Sequence, residues 1–148
     1  MKHASRVAVM AVAIVSGLAA CATGSSLSDT QKLALYQRNA GEPVAKIRYF
    51  GTPRSWEPVG DQALVVWVRG NEGYLFTLDA QCPDLSFGRA ISIGDQTGDV
   101  FAGFDSVRVL GATATAPGLA CRIRTIQPLD RAGLKEDEKA IRQSAGGT

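Results

Sequence analysis

The side chains able to do chemistry in this chain are few. It has three cysteines, Cys21, Cys82 and Cys121, and a single histidine, His3. His3 sits in a leader-like N-terminal stretch, so the remainder has no imidazole for a Ser-His or Cys-His pair. No G-x-S-x-G, H-E-x-x-H or phosphate-loop pattern occurs. A structural metal site usually takes four ligands, commonly Cys or His, so no metal and no cofactor is expected. Carboxylate, lysine and tyrosine chemistry remains. Asp79 and Asp84 could form an acid pair, although aspartates are equally at home in turns. Asp95-Gln96-Thr97-Gly98-Asp99, with Asp105 beyond it, is rich in oxygen donors. It lacks the D-x-D-x-D-G spacing of a calcium loop, and turn chemistry explains it as well. No catalytic residue is therefore nominated.

Cys21 is reached through a distinctive leader. Lys2, His3 and Arg6 make a positive start, and Val7 to Leu18 is apolar or small. That run is shorter than the roughly 20 apolar residues a membrane-spanning helix needs, and it suits an export signal. It ends in Leu18-Ala19-Ala20-Cys21, which resembles the lipobox of bacterial lipoproteins. The resemblance implies a diacylglyceryl group on the Cys21 thiol, cleavage before Cys21, and acylation of the new amine. Several acyl chains, at about 0.8 kcal/mol per buried methylene, make a lasting anchor. Ala22 follows where an aspartate would retain such a protein at the inner membrane, so the outer membrane is expected. The expected partition is a signal over 1–20, a lipidated Cys and tether over 21–27, one globular domain over 28–143 and a frayed tail over 144–148.

Export changes how the rest is read. Of 16 basic residues two, Lys2 and Arg6, leave with the signal, so 14 basic residues face 14 acidic ones. The near-neutral product gives no electrostatic reason to bind nucleic acid. An oxidising compartment suits a disulfide between Cys82 and Cys121, 39 residues apart (121 minus 82). The competing readings are free thiols and a redox pair; the latter usually has C-x-x-C spacing, absent here.

Two further sets could meet a partner. Arg48, Arg69, Arg108, Arg122 and Arg124 all fall on or beside predicted strands. On one face they could hold a carboxylate, a phosphate or an acidic patch; the plainer reading, a solvated sheet face, is preferred. Trp56, in a loop rich in Pro and Gly, is either an interface anchor or a lid on one end of the core. Trp67, within Val65-Val66-Trp67-Val68, reads as core.

The elements that must position these residues follow from periodicity and punctuation. Ser28 to Ala40 reads as a helix opened by the capping box Ser28…Gln31 and stopped at Gly41. Val44 to Phe50 alternates as a strand, and Gly51 to Gly60 reads as a loop. Ala63 to Arg69 and Tyr74 to Asp79, separated by Gly70-Asn71-Glu72-Gly73, form a β-hairpin. The unbroken apolar run of the first points to a central strand covered on both faces. Cys82 to Phe87 reads as a helical turn. Ala90 to Ile93, Val100-Phe101, Ser106 to Leu110 and Ala120 to Gln127 are further strands, the last with Cys121 and Ile123 facing away from Arg122 and Arg124. Asp130 caps a weak last helix, with Gly133 a cost. Strands without long helices between them predict an α+β fold: a small, mostly antiparallel curved sheet of about six strands with an N-terminal and a C-terminal helix.

Ala40-Gly41-Glu42-Pro43-Val44, Ile47-Arg48-Tyr49-Phe50, Trp56, Leu64-Val65-Val66-Trp67, Tyr74-Leu75-Phe76-Thr77-Leu78, Cys82, Phe104-Asp105-Ser106-Val107 and Cys121-Arg122-Ile123-Arg124-Thr125-Ile126-Gln127-Pro128, behind the lipobox, resemble one family. It is a group of proteobacterial lipoproteins known only as a domain of unknown function. The resemblance implies a shared fold and the Cys82–Cys121 pair, and supplies no catalytic residue. The leading expectation is a non-enzymatic binding or structural domain, lipid-anchored on the periplasmic side, meeting an envelope protein or a cell-wall component. The alternatives are an inhibitor of lysozyme type and a carboxylate enzyme.

Overall fold

In the computed structural model, residues 26–49, 51–94, 98–111 and 118–145 are described. The expected signal, the lipobox-like motif and Cys21 lie outside them, as do 95–97 of the oxygen-rich loop. The first helix, α1 (Asp29–Arg38), carries the expected capping box. The Ser28 hydroxyl accepts from the Gln31 N–H at 3.3 Å, and the Gln31 amide oxygen accepts from the Ser28 N–H at 3.0 Å. The helix stops before Gly41: Asn39 is its C-cap, and Ala40 already bridges to Leu129.

The strands are β1 (Lys46–Arg48), β2 (Ser55–Pro58), β3 (Ala63–Trp67), β4 (Gly73–Leu78), β5 (Ala90–Ile93), β6 (Asp99–Phe101), β7 (Ser106–Leu110) and β8 (Ala120–Pro128). Six form a curled antiparallel sheet in the order β2-β3-β4-β8-β7-β5, and β1 pairs with β6 in a separate ribbon. The expected α+β architecture is present, with two differences. Trp56 lies on an edge strand, β2, where a loop was expected. The covered strand β3 is second from the edge, and β4 holds the middle beside β8.

Alternation decides which side chain faces which layer. Leu64, Val66, Phe76 and Leu78 turn to one side, where they meet Ile91, Ile93, Val107, Val109, Ile123 and Ile126. The β1–β6 ribbon adds Ile47 and Val100 to this core. Ala63, Val65 and Leu75 turn to the other side, against Leu35 and Tyr36 of α1, Leu129, and Leu134 of the last helix, α2 (Arg131–Ala145). Hence every residue from Ala63 to Val66 is buried. The helices cover only β2 to β4; the same face of β8 and β7 carries exposed Arg122, Arg124 and Arg108.

A bulge redirects β8. Thr77 pairs with Thr125 and Leu78 with Ile123, so one step on β4 matches two on β8. Ile123 and Ile126 can then both face the core. Cys82 and Cys121 are joined by a disulfide, with Cα atoms 5.6 Å apart, within the usual range. It fastens the segment after β4 to the start of β8.

The final helix is the longest element rather than a weak one. Its first turn is capped by Asp130, whose carboxylate accepts from the Ala132 N–H at 2.9 Å. Gly133 has a packing reason: a Cβ there would come within 2.4 Å of Asn39 Oδ1. Asn39 in turn donates to Asp137 Oδ2 at 2.9 Å, tying the two helices together. The glycine's intrinsic cost in a helix, about 1 kcal/mol, is the condition for this close approach.

Candidate functional site

The arginines do not form one set. Arg122 and Arg124 lie on the open face of β8 and converge on Asp79, just past the end of β4. Arg124 Nε is 3.2 Å from Asp79 Oδ1, and its Nη2 donates to the Asp79 carbonyl at 2.7 Å. The bulge that separates Ile123 from Ile126 leaves Arg124 free to turn toward Asp79. Both guanidinium groups are more than half exposed, so these ion pairs contribute little to stability. Arg108 shares their face, across from Ala120. Arg48 is elsewhere, on the small ribbon, beside Asp99 with Lys46. Hydrogen bonding from Lys46, then the charges of Lys46 and Arg48, hold the Asp99 carboxyl below the ordinary range.

The nominated carboxylates are similarly dispersed. Asp79 serves the two arginines. Asp84 adopts a left-handed backbone, φ 62°, ahead of the short 3₁₀ turn Leu85–Phe87. Of the oxygen-rich loop, Asp99 is bonded to Lys46, and Asp105 Oδ2 accepts from the Phe101 N–H at 2.7 Å. Asp79, Asp99 and Asp105 thus serve protein contacts, whereas the buried Asp84 Oδ2 has no hydrogen-bond partner among the described residues.

Trp56 turns toward the core side of the sheet and packs against it. Its ring lies in the space between the sheet's two edge strands: a Cβ on Gly88, just before β5, would lie 3.4 Å from that ring and 2.4 Å from Val109 Cγ1. Trp56 thus covers the seam where the half-barrel does not close, and it also lines the cleft beside Trp67 and Arg131.

One concavity among the described residues was not evident from sequence. It lies between β2, the end of β3 and α2, has a volume of about 390 Å³, and is lined by Tyr36, Glu57, Trp67, Arg131, Lys135 and Glu138 among others. That is near the lower limit for small-ligand sites. Trp67, expected in the core, is half-buried and forms one wall. The Arg131 guanidinium lies 4.4 Å from the centre of its ring, a cation–π contact. Gly73, opposite Trp67, leaves the ring its place, since a Cβ there would sit 2.2 Å from it. At the inner end, the Tyr36 hydroxyl donates to Glu57 Oε1. Burial pushes the Glu57 carboxyl up, Lys32 pulls it down, and Glu138 pushes it up again.

A glutamate raised by folding binds its proton more readily in the folded chain than in the unfolded one. The stability this gives is complete below the ordinary value of 4.5 and is lost as pH rises through the raised value. Glu57→Gln should therefore gain on the wild type as pH climbs through that window, by about 1 kcal/mol or less given solvent screening at this half-exposed site. Urea midpoints of the two proteins across mildly acidic to neutral pH measure this; a constant difference would contradict it.

A half-barrel of six antiparallel strands, backed by two helices and fastened by one disulfide, defines a small α+β domain. The chain belongs to the family of unknown function DUF6491, whose model matches residues 2–145. Comparison with curated proteins and with solved structures gives no match. No helix among the described residues is long and apolar enough to cross a membrane.

Proposed function

We propose that this protein is an exported lipoprotein, anchored through Cys21 on the periplasmic side of the outer membrane, whose domain acts by binding rather than by catalysis. The observation that carries the anchor is Leu18-Ala19-Ala20-Cys21 at the end of a short apolar run behind Lys2 and Arg6. The family match begins at residue 2 and so includes this segment, which supports treating it as integral to the protein. The disulfide suits an oxidising compartment. The binding reading is supported by the way the carboxylates are used: Glu57 is held by Tyr36, and Asp79 by Arg122 and Arg124. The cleft beside Trp67 and Arg131 offers an aromatic wall and mixed charge, suited to a segment of an envelope protein or a cell-wall component.

The test is intact mass of the protein extracted from membranes, with and without reduction and alkylation. A chain starting at a triacylated Cys21, with Cys82 and Cys121 alkylated only after reduction, is the expected result. An unprocessed or unlipidated chain would overturn the anchor, and thiols reactive without reductant would overturn the oxidised state.

A further inference from the structure

The cleft beside Trp67 holds charges of both signs that do not neutralise one another. Arg131 and Lys135 line it from one face of α2, and Glu57 and Glu138 line it as well. Among the described residues neither Arg131 nor Lys135 forms an ion pair, although two carboxylates share their cavity. One charge of each sign is held in place by an aromatic side chain. The Arg131 guanidinium lies 4.4 Å from the centre of the Trp67 ring, and Glu57 accepts from the Tyr36 hydroxyl. Neither contact exhausts its group. A cation–π contact uses none of the five guanidinium N–H donors, and one phenolic bond leaves a carboxylate most of its acceptor sites.

Both walls of the cleft separate the charges in the same direction. On the sheet wall, Ser55 pairs with Trp67 and Glu57 with Val65. Glu57 is therefore two residues along the sheet from Trp67, roughly 7 Å at the rise of a strand. On the helix wall, Glu138 follows Arg131 by seven residues (138 minus 131), roughly 10 Å at the rise of an α-helix. Arg131 is at the Trp67 end. Glu138 is at the Glu57 end: after the larger effect of burial, its charge pushes the Glu57 carboxyl up. Lys32 of α1 pulls that carboxyl down but does not line the cleft. The cleft thus has a cationic end at Arg131, with Lys135 one turn further on, and an anionic end at Glu57 and Glu138.

We infer that this cleft binds a short zwitterionic peptide, its free carboxylate on Arg131 and Lys135 and its free ammonium group on Glu57 and Glu138. The inference rests on the reading of the domain as a binder and names the chemistry of its ligand. An extended chain covers about 3.3–3.6 Å per residue, so two or three residues match the separation of the two ends. The volume of about 390 Å³ suits a ligand of that size. A neutral glycan would leave charges of both signs unanswered, and a polyanion would meet Glu57 and Glu138.

The test is calorimetric titration of the full-length protein with alanine peptides of two, three and four residues. Each is used free, N-acetylated to remove the ammonium group, and amidated to remove the carboxylate. The expected result is saturable binding of a free peptide, weakened about tenfold or more by either cap. Arg131→Gln should weaken the free peptide and leave the amide unaffected; Glu57→Gln should weaken the free peptide and leave the acetylated one unaffected. No saturation at any length, or equal affinity for free and capped peptides, would overturn the inference, and that comparison needs the wild type alone. Mass analysis of the peptides recovered from the same samples keeps the two readings apart. Intact peptide without affinity would overturn only the ligand class, whereas cleaved peptide would overturn the reading of the domain as a binder.

Discussion

Replacing Cys82 and Cys121 together with alanine is expected to lower the unfolding free energy by about 4 kcal/mol. The chain-entropy relation gives that figure for a loop closed across 39 residues. Domains of this size have about 5–15 kcal/mol in total, so the variant should keep only about 1–11 kcal/mol and unfold at a clearly lower urea concentration. The half-cystines are nearly inaccessible, which places the bond inside the core and not on a mobile surface loop. Urea unfolding of the variant, and of the wild type under reductant, measures the effect. Agreement between the two would assign the loss to the cross-link, and a larger loss in the alanine variant would report the space left by the sulfurs. A loss below about 1 kcal/mol would mean that the segment between the two cysteines is already restricted in the unfolded chain.

Phe76→Ala is expected to cost about 3–5 kcal/mol, whereas Phe104→Ala should stay within about 0.5 kcal/mol. The same atoms are removed in both. Phe76 is fully buried on the central strand, with Leu64 on one side and Ile126 on the other as its cross-strand neighbours. Its removal leaves a void where three strands meet, bounded by backbone that is hydrogen-bonded on both sides and cannot collapse. Phe104 is 83% exposed and leaves nothing unfilled. Denaturant midpoints for the two variants measure the contrast, and a cost below about 2 kcal/mol for Phe76→Ala would show a core able to repack.

What could be read from sequence was local. Ser28 and Gln31 are three apart, the spacing a capping box needs, and the hairpin around Gly70-Asn71-Glu72-Gly73 is bounded by two apolar runs. The alternation in Cys121-Arg122-Ile123-Arg124 places sulfur and isoleucine inward without reference to anything distant. β2 was hidden because Pro53 and Gly60 flank it and Pro58 is its last residue, and those are loop signals unless the strand is an edge, where Pro58 needs no outward N–H. The cleft was hidden for a different reason: Tyr36, Glu57, Trp67 and Arg131 come from four elements, and only the folded chain brings Arg131 over Trp67. Trp67 reads as core because its neighbours do; Gly73, which makes room for its ring, reads as a turn residue. The arginines illustrate the limit of counting types. Arg48 and Arg122 sit in similar alternating strands, yet one belongs to the small ribbon and the other to the main sheet, and no spacing distinguishes them.

The middle of the main sheet also sets when the protein can fold. β4 and β8 join Tyr74 to Pro128 and Leu78 to Ile123, separations of 54 and 45 residues (128 minus 74, 123 minus 78). Such pairings must close long loops before any contact rewards them, which slows the search for the native state. As the chain emerges, the β3–β4 hairpin can form early, but its far edge has no partner until nearly the last strand is available. In the export proposed above, a chain threaded across a membrane from its N-terminus would benefit from that delay: it could not complete its core, and so could not jam as a folded body, until the segment carrying Cys121 to Pro128 had arrived.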